Sequence, residues 1–227
     1  MSMPVEGSDP PHRHFALMDR VYRHQRHFYD LTRRHYLAGR DRLIAGINAV
    51  PGDRILEVGC GTARNLIKIA RRYPGTELWG VDASSEMLRS AAQSVRRAGL
   101  AERVTLAHGL AEELSSIFAG QAGFDHVVFS YSLSMIGDFE GALRAAAQVA
   151  TARGQIHLVD FGDLNGLWPA AAAALRYWLA LFHVCPRSGL LQRLENLAAR
   201  RDDCSLEMLR GRYAFVFKAS IAAVSNF

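Results

Sequence analysis

The fold is decided by residues 54–63, which read RILEVGCGTA. Residues 54–58 form an apolar run short enough for a buried strand, and the turn signal Pro51-Gly52-Asp53 comes directly before them. After the loop the apolar residues recur at helical spacing, so the stretch predicts a strand, a glycine turn and a helix in that order. The glycines let the backbone turn tightly and approach a ligand where a Cβ atom would clash.

Strand-like and helical patterns alternate along the rest of the chain. Further strands are predicted at residues 77–82, 104–107, 125–130 and 155–160. Further helices are predicted from Ser84, over 141–151, and over Leu164–Val184 with Pro169 in the first turn. Two late runs, 205–209 and 213–218, are expected to pair as a terminal hairpin. This alternation predicts an α/β fold with a mostly parallel sheet covered on both faces.

Basic residues are concentrated near the amino terminus. The chain has a formal charge of +5, and residues 12–42 hold 8 Arg against 3 Asp, which accounts for the whole excess. A local basic patch implies an anionic partner such as a lipid surface, a nucleic acid or an acidic substrate. We therefore divide the chain into a basic helical extension, residues 1–48, and a second domain, residues 49–227.

Composition places the chain among ordinary globular proteins. Of its 227 residues 22% are charged and 49% are hydrophobic, which excludes a disordered, collagenous or coiled-coil chain. The separated cysteines Cys60, Cys185 and Cys204 fit neither a disulfide framework nor a metal motif, and they favour a reducing cytosol. The first residues lack the apolar core of a secretory signal, and residues 170–184 are too few to span a bilayer.

An acidic residue ends the second predicted strand. In parallel sheets ligands bind beyond the carboxyl ends of the strands, which places Asp82 beside the glycine loop. A carboxylate there can accept hydrogen bonds from both hydroxyl groups of a ribose. A dinucleotide fingerprint would need a third glycine where this chain has Arg64, and it has no role for Glu57. Dinucleotide binding is therefore the weaker interpretation.

The loop, Asp82 and the two closing strands resemble those of the class I S-adenosylmethionine-dependent methyltransferases, over about residues 50–219. The resemblance implies a Rossmann-like, doubly wound, seven-stranded and mostly parallel sheet whose last strand is antiparallel. It implies S-adenosylmethionine as the cofactor and S-adenosylhomocysteine as the product. It also implies that Glu57 lies near the methionine amino group of the cofactor and that Asp82 binds the ribose hydroxyls.

One position departs from the family. Many members have an acidic residue for the adenine amine where this chain has Leu110, which leaves the backbone of residues 109–111, apolar packing or Glu112 to hold the adenine. The cofactor-binding residues predicted from the resemblance are Arg40, Glu57, Gly59, Cys60, Gly61, Asp82, Ala83, Met87, Gly109, Leu110, Ala111 and Ser130.

The amino-terminal segment carries a narrower resemblance. Residues 22–42, YRHQRHFYDLTRRHYLAGRDR, and the closing piece Gly211–Phe215 are similar to the diacylglycerylhomoserine N-methyltransferases of bacterial betaine-lipid synthesis. The resemblance implies successive methylation of a lipid headgroup amine, giving the trimethylated betaine lipid, by a cytoplasmic protein in peripheral contact with an anionic membrane surface. Methyl transfer to a neutral amine needs positioning more than acid–base help, so we expect no obligatory catalytic acid or base.

The same segment offers groups that suit such a headgroup. Arg33, Arg34 or Arg40 can bind a carboxylate bidentately, either on the headgroup or on the methionine part of the cofactor. Arg33 and Arg34 are predicted to serve the headgroup and Arg40 the cofactor, and which arginine serves which carboxylate stays open. Tyrosine faces hold a methylated cation by cation–π attraction, and the rings predicted at the reacting amine are those of Tyr22, Tyr29, Tyr36 and Tyr131.

Several alternatives stay open. A phosphatidylethanolamine N-methyltransferase or a small-molecule amine methyltransferase would share the amine chemistry, and a membrane-surface module on a degenerate fold is the non-enzyme alternative. Nucleic acid is not expected, because residues 130–133 lack the Pro-Pro run of many base-directed enzymes. The apolar helix that carries Trp168, Tyr177, Trp178 and Phe182 lines an acyl-chain approach in one interpretation and covers the core in the other.

Overall fold

The computed structural model describes residues 37–180 and 188–224. The strands are β1 Arg54–Val58, β2 Glu77–Asp82, β3 Val104–His108, β4 Phe124–Ser130, β5 Ala150–Phe161, β6 Cys204–Leu209 and β7 Ala214–Ser220. The helices are α1 Arg40–Gly46, α2 Arg64–Arg72, α3 Ser85–Arg97, α4 Leu114–Ile117, α5 Phe139–Val149, α6 Pro169–Ala180, α7 Ser188–Ala198 and α8 Ile221–Val224, with a 3₁₀ turn at Ala111–Glu113.

The strands of the described chain form one seven-stranded sheet in the order β3-β2-β1-β4-β5-β7-β6. Strands β1 to β5 pair in parallel, and β7 runs antiparallel to both β5 and β6. This is the Rossmann-like methyltransferase arrangement that the sequence predicted. The bounds of β1 and β2 agree with the prediction residue for residue, and the terminal hairpin is confirmed.

The hydrophobic core lies in two layers, one on each face of the sheet. Side chains alternate between the faces along a strand, so Ile55 packs in one layer while Leu56 and Val58 pack in the other. Helices α1, α2, α3 and α6 contribute to the first layer, and α4, α5, α7 and α8 to the second. Burial on both faces explains why β1 and β4 carry consecutive apolar residues, 55–56 and 127–129, where a half-exposed strand would alternate.

Helix starts follow local capping chemistry. The Ser84 hydroxyl accepts a hydrogen bond from Met87 N at 3.3 Å, which confirms the predicted start of α3. The Asp138 carboxylate accepts one from Gly141 N at 2.8 Å. Because Asp138 is the cap, α5 begins at Phe139, two residues before the predicted start.

The predicted helix over Leu164–Val184 was wrong at its beginning. Leu164 has a φ of 63°, and its N–H donates to Arg212 O, so the backbone there is a loop. The Asp163 carboxylate pairs with the Arg212 guanidinium at 2.7 Å, which holds this loop on the β6–β7 turn. The helix begins at Pro169 and is described as far as Ala180. Helix α7 was not predicted, and none of the described helices is long and apolar enough to cross a bilayer.

Candidate functional site

A cavity opens at the carboxyl ends of β1, β2 and β4. Every predicted cofactor residue lines it, together with the predicted ring Tyr131. Parallel strands present their carboxyl ends on one edge, so residues far apart in sequence meet there. The structure therefore brings the predicted set together around one cavity, and their contact with a ligand stays a prediction.

The glycine loop turns by left-handed backbone conformations. Gly59 has a φ of 76°, Gly61 of 54° and Ala63 of 62°. A Cβ atom on Gly59 would lie 2.6 Å from Ser132 Cβ, so the loop packs directly on the segment after β4. On Gly61 a Cβ atom would meet nothing within 4 Å, so that side of the loop is open. The first glycine serves packing, and the second leaves room for a ligand.

Glu57, the residue just before the end of β1, is a buried carboxyl group with one unused oxygen. Its side chain is 1% exposed, and Asn65 Nδ2 donates to Oε1 at 2.8 Å. The other oxygen, Oε2, has no hydrogen-bond partner among the described residues. Burial raises the pKa of this carboxyl to about 8, against the opposing effects of Asn65 and the Arg40 charge. A cationic donor at Oε2 would compensate this burial.

Asp82 is held by the backbone of the two loops that it joins. Its Oδ2 accepts from Gly61 N at 2.8 Å, and its Oδ1 accepts from Ser84 N at 2.9 Å. A carboxylate offers about four lone-pair sites, and these two bonds occupy two of them. Asp82 thus fixes the glycine loop against the start of α3 and presents a carboxylate to the cavity.

The adenine side of the cavity is formed by residues 109–112. The N–H of Gly109 donates to Asp82 O at 3.2 Å, and that of Leu110 donates to the Glu113 carboxylate at 3.2 Å. Both of these backbone donors are thus engaged within the protein. Glu112, the alternative adenine-binding residue named from the sequence, also lines the cavity.

The Cys60 side chain packs beneath the loop. A Cβ atom on Gly80 would lie 2.8 Å from Cys60 Sγ, so the thiol fills the space that this glycine leaves. Burial raises the pKa of the thiol well above its ordinary value, which keeps it a neutral packing group. A ligand in the cavity can therefore contact the backbone of Cys60, and the Cys60 thiol is not expected to act as a nucleophile.

Tyr131 and Arg40 both line the cavity. Tyr131 has a φ of 57°, uncommon for a bulky residue, and is 2% exposed. Its hydroxyl donates to Ala38 O at 2.6 Å, and burial raises the pKa of the phenol. The charge of Arg40, at the start of α1, lowers the pKa of both Tyr131 and Glu57, against the larger opposite effect of burial. The predicted residues Tyr22, Tyr29, Tyr36, Arg33 and Arg34 lie outside the described residues.

Asn65 and Arg64 are cavity residues that sequence reasoning missed. Asn65 holds Glu57, and Arg64 lines the cavity from the start of α2. The polar Asn65 on the buried face of an amphipathic helix was a readable signal. The packing of Ser132 on Gly59 gave no signal in the sequence, because it is a contact across the sheet between the segments after β4 and β1.

These features fit S-adenosylmethionine on structural grounds. The unused Glu57 Oε2 suits an ammonium group, and the open side of Gly61 suits a ligand that approaches the backbone. The Asp82 carboxylate suits a ribose, and the buried thioether of Met87 lies on the same wall.

Comparisons with known proteins agree with the site. Residues 55–154 match the family model described as a methyltransferase domain. The chain is 30% identical over 172 residues to the demethylmenaquinone methyltransferase of Anoxybacillus flavithermus, covering 74% of this chain and 67% of the relative. It is 40% identical over 80 residues to the trans-aconitate 2-methyltransferase of Pseudomonas paraeruginosa, a match over 35% of this chain and only 29% of that enzyme.

A solved structure has the same fold. It is Haemonchus contortus phosphoethanolamine N-methyltransferase 2 in complex with S-adenosyl-L-methionine, with a TM-score of 0.59 at 20% identity over 75% of this chain and 38% of that one. The chain therefore belongs to the class I S-adenosylmethionine-dependent methyltransferases, and S-adenosylmethionine is its methyl donor.

Proposed function

We propose that this methyltransferase acts on nitrogen and methylates the amine of a lipid headgroup, converting diacylglycerylhomoserine to its trimethylated betaine. The observation that carries the proposal is that Arg40 and Tyr131 line the same cavity as Glu57. A homoserine headgroup combines a carboxylate with an amine that becomes a quaternary cation. A guanidinium suits the carboxylate, and an aromatic face suits the methylated cation.

The cavity chemistry favours an amine over a hydroxyl acceptor. Among the described residues that line the cavity there is neither a histidine nor a lysine to remove a proton from a hydroxyl. The carboxyl groups of Glu57 and Asp82, which could act as bases, are assigned to the cofactor and hydrogen-bonded within the protein. Burial keeps the Tyr131 phenol and the Cys60 thiol neutral. An amine that has lost its proton to water already carries the nucleophilic lone pair, so such a site is adequate for N-methylation.

The residues of the chain bind, orient and exclude water. S-adenosylmethionine supplies an electrophilic methyl group when it is bound. Glu57 would hold the ammonium group of the cofactor, Asp82 the ribose, and the loop Gly59–Gly61 would lie against the ligand. Desolvation by the buried wall lowers the pKa of an acceptor ammonium, which raises its neutral and reactive fraction. The mono- and dimethylated amines can lose a proton for another transfer, whereas the quaternary product cannot.

The proposal is supported by the resemblance of residues 22–42 and 211–215 to enzymes of betaine-lipid synthesis. The phosphoethanolamine enzyme of Haemonchus contortus, named above, uses the same fold for an amine acceptor, but at 20% identity that likeness concerns the fold alone. The demethylmenaquinone relative bears a different substrate in its name. The acceptor is thus the part of the proposal that experiment must decide.

The test is transfer of labelled methyl groups into micelles that contain diacylglycerylhomoserine. Transfer into the lipid fraction supports the proposal, and bound S-adenosylmethionine without transfer overturns it. Arg40→Gln is expected to raise the KM for the lipid about tenfold or more, because a charge-assisted pair is lost. Arg71→Gln, which removes an exposed arginine on the far part of α2, is the matched control.

A further inference from the structure

Helix α6 is apolar nearly all the way round. It reads PAAAAALRYWLA, and Arg176 is its one charged residue. Its inner side is buried at Ala172 and Leu179, which pack on the core together with the partly buried Leu175 and Trp178. A surface helix of a globular protein normally turns a polar face to water. Helix α6 does not.

The outer side of this helix is exposed. Tyr177 is 71% exposed, and Trp168, the residue just before the helix, is 84% exposed. The alanines at 170, 171, 173, 174 and 180 are exposed as well. We call these seven residues the α6 outer face. A contiguous apolar patch with aromatic residues is typical of a surface that binds a membrane or another protein.

The α6 outer face stands on the cavity side of the molecule. The loop before α6 leaves the carboxyl end of β5, at the same sheet edge as the cavity. The inner residues of α6 share a core layer with Leu37, Tyr131 and Phe161. A flat partner on this face would therefore lie beside the mouth through which a headgroup reaches Tyr131.

The edges of the face are basic. Arg176 is exposed and donates to Asp163 O at 3.0 Å. Arg210 is exposed in the β6–β7 turn, whose Gly211 contacts Gly166 just before Trp168. The nearby acids Asp163 and Glu195 share the Arg212 guanidinium, so this cluster carries one net negative charge against the two positive charges of Arg176 and Arg210. Apolar area with interfacial aromatics and flanking arginines complements an anionic lipid surface.

We propose that the α6 outer face docks on an anionic bilayer. Trp168 and Tyr177 enter the headgroup boundary, and Arg176 and Arg210 contact lipid phosphates. This inference rests on the proposed function, since docking would present a lipid amine to the cavity. A protein partner or a second copy of the chain would bury the same face without a requirement for anionic lipid, and this difference makes the inference testable.

The experiment is co-sedimentation of the full chain with vesicles of phosphatidylglycerol and phosphatidylcholine in equal parts. The double variant Trp168→Ser/Tyr177→Ser is expected to bind about tenfold or more weakly, because two large apolar contacts are lost. Arg176→Gln/Arg210→Gln is expected to lose binding to these vesicles but not the small binding to pure phosphatidylcholine. Val50→Ser is the matched control, since Val50 is also exposed, at 58%, but precedes β1 at the opposite edge of the sheet.

Three outcomes overturn the docking surface: wild-type protein that does not sediment, equal loss in Val50→Ser, or a double variant that binds normally. A double variant that instead changes from dimer to monomer assigns the face to self-association and overturns it too. The vesicles contain no primary amine, so the result does not depend on methyl transfer. If the wild-type protein does not bind vesicles but still transfers methyl groups to micellar lipid, only the docking inference is refuted and the proposed function stands. Normal affinity for S-adenosylmethionine verifies that each variant is folded.

Discussion

The hydroxyl of Tyr131 donates a 2.6 Å hydrogen bond to the carbonyl of Ala38. Tyr131 follows β4 directly, and Ala38 lies two residues before α1. The bond therefore ties the loop at the cavity mouth to the point where the basic amino-terminal segment joins the fold. It also holds the left-handed backbone of Tyr131, whose N–H donates to Val159 O at 2.7 Å.

Removal of this hydroxyl is expected to loosen the cavity wall. Tyr131→Phe should lower the free energy of unfolding by about 1 kcal/mol, because the Ala38 carbonyl loses a partly buried donor. Tyr131→Leu should in addition reduce methyl transfer, because the ring is lost. Urea denaturation and initial rates measure the two effects. Val50→Ser, which alters a side chain that is 58% exposed, should change neither; equal rates for the Phe and Leu variants of Tyr131 would contradict a role for the ring.

Asp82 is expected to be the strongest single contributor to cofactor affinity. Asp82→Ala removes the acceptor of Gly61 N and Ser84 N as well as the ribose ligand. Hydrogen bonds to charged groups contribute about 1.5–3 kcal/mol, so the Kd for S-adenosylmethionine should rise by about 10- to 100-fold. Calorimetry measures it. Asp41→Ala removes an exposed carboxylate paired with Lys68 and should leave the Kd unchanged; an unchanged Kd in Asp82→Ala would show that the ribose is elsewhere.

Alanine substitutions at the two loop glycines are expected to have different effects, one on stability and the other on cofactor affinity. Gly59→Ala brings a Cβ atom to 2.6 Å from Ser132 Cβ at a φ of 76°, so a loss of about 1–3 kcal/mol in unfolding free energy is expected. Gly61→Ala meets no protein atom within 4 Å and should cost less stability. Its methyl group nevertheless occupies space beside the cavity, so the Kd for S-adenosylmethionine should rise. Denaturation and calorimetry on both variants decide this, and the reverse order of stabilities would refute the packing described for Gly59.

The raised pKa of Glu57 predicts that the stability of the folded protein decreases as the pH rises. Its folded pKa of about 8 lies above the ordinary 4.5, so the folded state holds the proton longer than the unfolded state. The contribution to stability is therefore complete below pH 4.5 and is lost as the pH rises toward about 8. Glu57→Gln cannot titrate, so the stability difference between wild type and variant should shift in favour of the variant over this range. Urea midpoints at several pH values measure it, and a constant difference would contradict the assignment.

Much of the fold could be predicted from sequence because its signals are local. The run 54–63 sets a buried strand, a left-handed loop and a helix within a few residues of each other. The cap at Ser84 and the hairpin after residue 204 depend on short spacings as well. The start of α6 could not be predicted in this way, since Asp163 is held by Arg212, 49 residues along the chain.

The same difference between local and long-range signals applies to the candidate site. Glu57, Asp82 and the loop glycines were found because a motif fixes their spacing. The contact of Ser132 with Gly59 and the bond from Tyr131 to Ala38 were not, because each joins segments that the sheet order brings together. The outward apolar side of α6 was visible as composition, but whether it covered the core or faced outward required the packing of Leu179 and the exposure of Tyr177.

The most direct test of the proposed function is a competition between two acceptor lipids. The protein is given S-adenosylmethionine with a labelled methyl group and micelles that contain equal amounts of diacylglycerylhomoserine and phosphatidylethanolamine, and the lipids are separated and analysed by mass spectrometry. We expect label in the homoserine lipid, rising through the mono- and dimethylated forms and stopping at the trimethylated betaine. Label confined to phosphatidylethanolamine, or bound cofactor with label in neither lipid, would contradict the proposed function.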